Sequence, residues 1–482
     1  MFKRFLLGGL LSSTVFLSSF AQAQTDFKLP DLGSSALEVL PIDKEKALGK
    51  VMMMQIRGGS PLVQDPVLDE YITSLGNKLV ANANDVRFPF TFFLINNQAI
   101  NAFAFYGGHV GIHTGLIAQS DNESQLASVI GHEIAHVTQR HLARRLQHQK
   151  DNSALTVAGI VTGILAAVIA PDAGMAILSA STTQAGISQL SHSRKAEQEA
   201  DRFGMQTLYK AGFDPSQAGE FLSKLANQVR FQTKPPTFLL THPLPDTRVS
   251  DVRLRAQQYS AKQIQESLKF KLAKSRIIAR YQLDSKDAQA LFENELKKSS
   301  ELNKAYLHYG LAISLLDQKK IQQAEKLLYP LLKDDPNNLF YLDVYTDILI
   351  AKGEAKKAVE YLTHHNELRP NNQVLALNYA NAAIKAKKFA KAEQTLKLFL
   401  LSEQNHLLAK ELLTEVYKGS DNKSAYYEAK ADVLAEYGAF LKAADEIQRA
   451  LNHVKASETV KKTRLKALLK QYRQMQKEIA KL

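Results

Sequence analysis

The chain has 482 residues, a formal net charge of +13 and 45% hydrophobic residues. Such a length is too great for one hydrophobic core and predicts two or more domains, while the apolar content excludes a disordered chain. The sequence has no cysteine, which excludes disulfides and lipid attachment through a cysteine. Stability therefore has to come from packing or from a metal.

The first residues, MFKRFLLGGLLSSTVFLSSFAQAQT, have the pattern of a secretory signal peptide. Lys3 and Arg4 precede a mostly apolar stretch at 5–20, and Ala-Gln-Ala at 21–23 is a small-x-small cleavage site. We predict a signal peptide at 1–23, because the apolar run is short for a membrane anchor. In an exported chain without a nucleic-acid motif, we expect no binding to nucleic acid despite the basic charge.

A small β-sheet is predicted in the first third of the chain. The sequence FPFTFFLIN (88–96) is typical of a strand, and the segment 101–117 is rich in β-formers around a Gly107-Gly108 turn. The hairpin has two interpretations at this point. It is either a structural element only, or a sheet edge that pairs with an extended peptide.

A helix with two histidines follows in the sequence GHEIAH (131–136). Ser120 and Glu123 form a capping-box pattern, and the apolar residues that follow recur at helical spacing. On this helix His132 and His136 lie one turn apart on the same side. Two neutral imidazoles at that spacing can bind one Zn²⁺, with Glu133 beside the metal as general base.

A zinc site of this type needs a third ligand. Metzincins place a histidine six residues after the second histidine, where this chain has Leu142, so that class is excluded. His141 is one residue out of place, and we expect it to be a surface histidine.

The stretch SRKAEQEADRFG (193–204) offers a glutamate instead. Glu197 and Asp201 are four residues apart on a predicted helix, so both can face the metal helix. Glu197 is then the third ligand, and Asp201 hydrogen-bonds a ligand histidine. Glu199 points elsewhere on this helix, although spacing alone does not exclude it. Without the HExxH motif, a solvated acidic helix would be the preferred interpretation of this stretch.

From about residue 300 the chain repeats with a period of 34 residues, the tetratricopeptide period. Small alanines, leucines and prolines recur in one register: Ala324, Ala358 and Ala392; Leu328, Leu362 and Leu396; Pro336 and Pro370. The predicted helix pairs are 304–317 with 321–333, 338–351 with 355–367, and 372–386 with 389–401. Arrays of this kind expose a concave surface that usually binds a protein or an extended segment.

The register then shifts by half a repeat. Ala443 lies 51 residues beyond Ala392, and residues near it fit a further repeat in the shifted frame. We expect the segment KGSDNKS (418–424) to be an insertion that interrupts the superhelix.

HExxH followed by ExxxD resembles the zinc peptidase family that includes the HtpX membrane protease and the CAAX prenyl proteases. With a signal peptide and C-terminal tetratricopeptide repeats, the chain looks like the periplasmic members of this family that act in outer-membrane β-barrel assembly. The resemblance implies one Zn²⁺ per chain on His132, His136 and Glu197, with Glu133 catalytic.

The resemblance also points to THPLPDTR (241–248). In such proteases a His-Pro motif and a following arginine lie near the metal. By that match His242 is a fourth ligand that keeps the enzyme latent, and Arg248 orients substrate or stabilises developing charge. From the residues alone, His242 is a histidine before a proline, and Arg248 could equally form a structural ion pair.

The apolar segment 154–170, with a small-residue run after it, has three interpretations. It forms a lid over the cleft, touches the membrane peripherally, or is a plain core hairpin. Its length is short for a membrane span.

We therefore expect a mainly α protein: a signal peptide (1–23), an α+β zincin-like metalloprotease domain with a small β-sheet (24–268), and an α-solenoid of tetratricopeptide repeats (269–482). The resemblance implies a periplasmic zinc metalloendopeptidase and chaperone that degrades misassembled outer-membrane β-barrel proteins. Its implied partners are those proteins and, through the repeats, the barrel-assembly machinery. The alternative is a non-proteolytic chaperone or adaptor with a structural or silenced zinc site.

Overall fold

A computed structural model describes residues 40–148, 193–231, 238–244, 246–260, 266–299 and 304–479. The predicted signal peptide (1–23) and the apolar segment at 154–190 lie outside the described residues. Within those ranges, no helix combines the length and the apolarity that a membrane crossing requires.

The first half of the chain combines helices with one small sheet. Its helices are α1 (Ile42–Gly59), α2 (Pro66–Val80), α3 (Thr114–Gln119), α4 (Glu123–Thr138), α5 (His141–His148), α6 (Arg194–Lys210), α7 (Ser216–Phe231), α8 (Phe238–Thr241) and α9 (Asp246–Ala256). Helices α4 and α6 pack against each other, and α2, α7 and strand β2 (Ala102–Phe105) also contact α4. The histidine-bearing helix therefore lies at the centre of this half.

The sheet has the strand order β1-β3-β2, with β1 at Thr91–Ile95 and β3 at His109–His113. β1 and β3 are parallel, and β2 and β3 form an antiparallel hairpin. The hairpin turns at Gly107 and Gly108, both at positive φ, which a glycine adopts without strain. The predicted β segment was too long at its end, because residues 114–117 begin helix α3.

Helix α4 begins later than its sequence pattern indicates. Its N-cap is Asn122, whose side chain accepts a hydrogen bond from the Gln125 backbone N–H. The Gln125 side chain in turn accepts from the Asp121 N–H. Ser120 is not the cap, since its hydroxyl donates to the Leu116 carbonyl of the preceding helix. The cap therefore lies two residues further along the chain than the pattern indicates, and the returning bond from Gln125 goes to the residue before the cap.

The described residues of the second half form an array of helices, as the period predicts. Its helices are α10 (Leu268–Ile277), α11 (Ser285–Lys298), α12 (Ala305–Asp317), α13 (Ile321–Asp334), α14 (Leu339–Ala351), α15 (Ala355–Leu368), α16 (Gln373–Lys385), α17 (Phe389–Ser402), α18 (Leu407–Gly419), α19 (Lys423–Glu436), α20 (Phe440–Asn452) and α21 (Thr459–Ile479). The marker residues Ala324, Ala358 and Ala392 are fully buried between helices. The expected fold class, mainly α with a small sheet followed by helical repeats, is confirmed.

The segment 418–424 is not an insertion, so that expectation was wrong. It contains the same short turn as the earlier repeats, with a residue at positive φ at 34-residue intervals: Lys319, Gly353, Lys387 and Asp421. The half-repeat shift arises afterwards, because another three-residue turn around Gly438 follows α19 directly. Helix α19 therefore packs against both α18 and α20, and the array continues without interruption.

The two halves share one hydrophobic core that runs from Val63 to Ala429. Helix α10 lies at the junction and contacts α2, α3 and α12. On it, Arg276 is buried between Asp65 of the first half and Asp343 of the repeats, at 2.6 and 2.7 Å. The Tyr309 hydroxyl accepts a further hydrogen bond from the same guanidinium. The repeat array is thus packed against the histidine-bearing half rather than tethered to it.

Candidate metal centre and active site

Two glycines allow α4 and α6 to approach closely. Gly131 lies against the backbone of Gly204, and a Cβ at Gly204 would lie 3.0 Å from the Cα of His132. Any larger side chain at this crossing would separate the helices. The close approach brings the acidic side chains of α6 within reach of the histidines on α4.

Four buried side chains converge where these helices meet. His132, His136, Glu197 and His242 each present one ligand-type atom, and all four atoms lie within 4.8 Å of one another. The two Nε2 atoms of His132 and His136 are 2.9 Å apart, and each is 3.4 Å from a Glu197 carboxylate oxygen. His242 Nδ1 lies 3.1 Å from Glu197 Oε1. The structure thus brings together the four residues that the sequence and the resemblance indicated as ligands.

The cluster fits a divalent metal. Three imidazoles and one carboxylate are a ligand set that transition metals bind, and one ligand atom from each residue faces the same small volume. Glu133 Oε1, beside them, is buried and accepts no hydrogen bond among the described residues. A buried carboxylate oxygen without a hydrogen-bond donor in the described part of the chain thus lies beside the four candidate ligands.

Asp201 and Arg248 lie on one side of the cluster. Asp201 Oδ1 is 3.0 Å from His132 Nδ1, so the far side of that imidazole faces a carboxylate. Arg248 donates two hydrogen bonds to Asp201, and its guanidinium is also 2.6 Å from Glu197. Although burial opposes ionisation, Arg248 and His132 lower the pKa of Asp201. Arg248 is thus an ion-pair partner of two site carboxylates.

His136 has a different neighbour on its far side. His136 Nδ1 lies 2.7 Å from His141 Nδ1, and His141 Nε2 lies 3.1 Å from Glu199 Oε2. Arg144 donates to the same Glu199 oxygen. His141 is buried, so the expectation of a surface histidine was wrong. Glu199 points away from the four-residue cluster, as expected, and its carboxylate faces His141 instead.

Glu133 occupies the other side of the site. It is buried, its Oε1 lies 3.3 Å from His242 Nε2, and it receives a hydrogen bond from the Ala104 backbone of β2. Burial raises the pKa of the Glu133 carboxyl, against the lowering effect of the nearby histidines. A carboxylate with a raised pKa binds a proton more readily than an exposed one, which suits a group that takes up a proton from water.

His132 and Glu197 alter each other's pKa. Burial by itself would lower the pKa of His132, but hydrogen bonds to Asp201 and Glu197 raise it to about 9. Burial opposes ionisation of Glu197 as well, yet His242, His132 and His136 hold its pKa well below the ordinary range. The lowered pKa values of Glu197 and Asp201 favour negative charge at these two carboxylates, and hence a cation between the histidines.

His242 is held over the cluster by a short segment. Phe238 stacks on the His242 ring with the centroids 4.4 Å apart, and the Phe238 N–H donates to the Ile100 carbonyl. Ile100 lies two residues before the first residue of the edge strand β2. The histidine therefore reaches the site from a segment that contacts the sheet edge, and no sequence signal identified Phe238 in this role.

Comparison with known proteins places the chain in a class. Residues 66–256 match the model for Peptidase family M48, and residues 349–416 match a tetratricopeptide repeat model. The first match covers the histidine helix, the acidic helix and the His242 segment. The fold and the site together define a metallopeptidase followed by helical repeats.

Relatives match over nearly the whole chain. The β-barrel assembly-enhancing protease of Escherichia coli K12 is 38% identical over 475 residues, 98% of this chain and 97% of the relative. The putative β-barrel assembly-enhancing protease of Vibrio cholerae is 42% identical over 417 residues, 86% of each. The mitochondrial metalloendopeptidase OMA1 of Schizosaccharomyces pombe is 27% identical over 182 residues, 38% of this chain and 51% of the relative. The chain belongs to the family of β-barrel assembly-enhancing proteases.

Proposed function

We propose that this protein is a periplasmic zinc metalloendopeptidase and chaperone that acts on outer-membrane β-barrel proteins and degrades those that fail to assemble. The observation that carries the proteolytic part is the buried cluster of His132, His136, Glu197 and His242 beside Glu133. The barrel substrate is supported by the names of the full-length relatives. The periplasmic location is supported by the predicted signal peptide.

His132, His136 and Glu197 would hold one zinc ion, with His242 as a displaceable fourth ligand. Zinc in such a site supplies Lewis acidity toward a peptide carbonyl and a water molecule. Asp201 accepts a hydrogen bond from His132 Nδ1–H, which leaves Nε2 free to face the metal. Zinc is preferred to harder metals because imidazole nitrogen dominates the ligand set.

Glu133 is proposed as the general base. It takes the proton of the attacking water and passes it to the nitrogen of the leaving amine. Its burial supports this role, because a raised pKa makes the carboxylate a stronger base than an exposed glutamate. Arg248 is proposed to hold Glu197 and Asp201 ionised and to stabilise negative charge that develops during cleavage.

Substrate is proposed to bind as an extended segment along β2. All four residues of β2 have partners on β3, and the Asn101 carbonyl accepts a hydrogen bond from the His113 N–H. Because hydrogen-bonded and non-hydrogen-bonded pairs alternate in an antiparallel ladder, the backbone groups of Ala102 and Ala104 face the outer edge. The Ala104 backbone contacts Glu133, so this edge runs past the general base. A peptide added to the edge would place its carbonyls beside the cluster. An edge strand of a barrel protein has the required conformation.

The repeats are proposed to dock the enzyme on its partners. Arrays of this kind bind proteins or extended segments on the concave face. The proposed partners are assembling barrel proteins and the outer-membrane barrel-assembly machinery. The proposed domain division is a protease domain at 24–268 and a repeat domain at 269–482.

The test is the Glu133→Gln variant, which removes the base while it preserves the shape of the side chain. We expect this variant to retain zinc at the wild-type ratio and to lose cleavage of casein and of an unfolded barrel protein. Glu220→Gln, at an exposed ion pair, is the control and should cleave at the wild-type rate. Cleavage by Glu133→Gln at the rate of the control would refute the assignment.

One observation favours the alternative, a chaperone or adaptor with a silenced zinc site. His242 already supplies a fourth donor, and closed four-ligand zinc sites are usually structural. A structural site has no need of Glu133, however, so the same experiment separates the two functions. In the alternative, wild type and Glu133→Gln bind zinc equally and neither of them cleaves.

A further inference from the structure

The far side of His136 faces a chain of two further side chains that the proposed chemistry does not use. His136 Nδ1 lies 2.7 Å from His141 Nδ1, and His141 Nε2 lies 3.1 Å from Glu199 Oε2. His141 is 4% exposed, so its ring is shielded from water in the described structure. These contacts link a candidate metal ligand to a carboxylate through an intervening imidazole.

The order of protons along this chain follows from the geometry. His136 uses Nε2 to face the metal cluster, so its proton resides on Nδ1 and is donated to His141. His141 must then accept at Nδ1, which requires its own proton on Nε2. The Glu199 carboxylate accepts a hydrogen bond from His141 Nε2–H, and this contact selects the tautomer. Arg144 holds Glu199 in place.

The geometry points to a relay in which Glu199 and His141 act as positioning residues for His136, so that its Nε2 lone pair is directed at the metal. This inference rests on the proposed zinc site and extends it to residues outside the four-donor cluster. It assigns Glu199, which lies between Glu197 and Asp201 in the sequence, a different task from theirs.

The two ligand histidines are thus supported differently. His132 is backed directly by the carboxylate of Asp201, whereas His136 is backed by a neutral imidazole with the carboxylate one step further away. A direct carboxylate raises the basicity of a ligand imidazole more strongly than a relayed one. We expect the loss of Asp201 to weaken zinc binding more than the loss of Glu199.

A local structural feature produces this arrangement. Helix α4 ends at Thr138, and Arg140 takes a positive φ of 51° before α5 starts at His141. The buried pair of Arg140 with Glu45 holds this reversal in place. The reversal turns the His141 ring back against His136 instead of letting it continue around the helix.

The experiment measures the zinc dissociation constant by competition with a chelator, and the rise in melting temperature when zinc is added to the full-length metal-free protein. Removal of such an outer partner typically weakens metal binding by about 10- to 100-fold. His141→Ala should fall in this range and should reduce the zinc-dependent rise. His141→Asn should recover most of the loss, because its Oδ1 can accept from His136 Nδ1–H.

Glu199→Gln tests the carboxylate end of the relay. In the wild-type background this variant should weaken zinc binding, because the charge that selects the His141 tautomer is lost. In the His141→Asn background it should have no further effect, since asparagine has no Nε2 proton for Glu199 to accept. If Glu199 serves only to pair with Arg144, it will act equally in both backgrounds.

His109→Ala controls for a cavity elsewhere in the same half of the chain. His109 stacks on Phe105 and is not one of the four cluster residues, so its removal should lower stability without changing zinc affinity. Zinc binding by His141→Ala at wild-type affinity, or equal effects of Glu199→Gln in the two backgrounds, would overturn the relay alone. Failure of the wild type to bind zinc would overturn the proposed site and the relay together.

Discussion

The Cα of Gly204 on α6 lies so close to His132 on α4 that a Cβ on Gly204 would come within 3.0 Å of the His132 backbone. The contact is with backbone atoms rather than with the end of a flexible side chain. The distance between the two helices therefore depends on the absence of a side chain at this position. This distance also sets how far Glu197 and Asp201 lie from the histidines.

Gly204→Ala should push α6 away from α4. We expect a loss of about 1–3 kcal/mol in the free energy of unfolding, as for other overpacked positions, together with weaker zinc binding. Urea unfolding and chelator competition measure the two effects. Gly58→Ala is the control, because a Cβ at Gly58 would meet no described atom within 4 Å. Alanine is also more stable than glycine inside a helix. Wild-type zinc affinity in Gly204→Ala would show that the crossing does not set the site geometry.

His242→Ala should remove the fourth donor and open the site to substrate. We expect a higher basal rate of casein cleavage per bound zinc, together with weaker retention of the metal. Phe238→Ala should produce a smaller change in the same direction, since Phe238 stacks on the His242 ring and holds it in place. An unchanged cleavage rate at unchanged zinc content in His242→Ala would eliminate the latch.

The local patterns of the sequence predicted most of the candidate site. His132 and His136 are four residues apart on one helix, and Glu197 and Asp201 are four apart on another, so helical geometry alone places each pair on one face. The meeting of the two helices was a further assumption, which depends on Gly131 and Gly204. A single glycine in a helix has several explanations, so sequence alone does not identify a helix crossing.

His141 shows why another part of the site was missed. Its position is one residue away from that of a metzincin ligand, and we therefore predicted a surface histidine. The helix ends before His141, at a reversal stabilised by the distant Glu45. The repeat helices were easier to predict, because three kinds of marker residue share one period and each repeat contacts mainly its neighbours.

His109→Phe should make stability less sensitive to acid. Burial, with Arg57 nearby, lowers the pKa of His109 from 6.5 to about 4. Between these values the unfolded chain binds a proton that the folded protein does not, so the free energy of unfolding decreases as the pH falls from 6.5 toward 4. A shift of this size corresponds to a loss of about 3 kcal/mol. Phenylalanine preserves a ring stacked on Phe105 and cannot take up the proton.

Urea unfolding of the metal-free protein at pH 7 and pH 4.5 measures this effect. The decrease in free energy between the two pH values should be roughly 2 kcal/mol smaller in His109→Phe than in wild type. His364→Phe, at an exposed position in the repeats, serves as the control and should follow wild type. Equal decreases in all three proteins would mean that His109 is protonated in the folded state at pH 4.5.

Arg276→Met should destabilise the junction between the two halves. The Arg276 side chain is 3% exposed and pairs with Asp65 and Asp343, which are equally buried. Methionine fills part of the volume but leaves both carboxylates without their shared cation. Loss of one partner from a buried pair typically costs about 3–5 kcal/mol. We expect urea unfolding to show a loss of that size.

Arg253→Met provides the matched control, since the Arg253–Glu220 pair is half exposed and such pairs contribute at most about 1 kcal/mol. The junction should also lose cooperativity in Arg276→Met, so that limited proteolysis cuts between the halves before either half is degraded. The contrary result is a single unfolding transition with a loss no larger than that of the control. It would mean that the shared hydrophobic core, rather than the buried cation, holds the repeats against the protease.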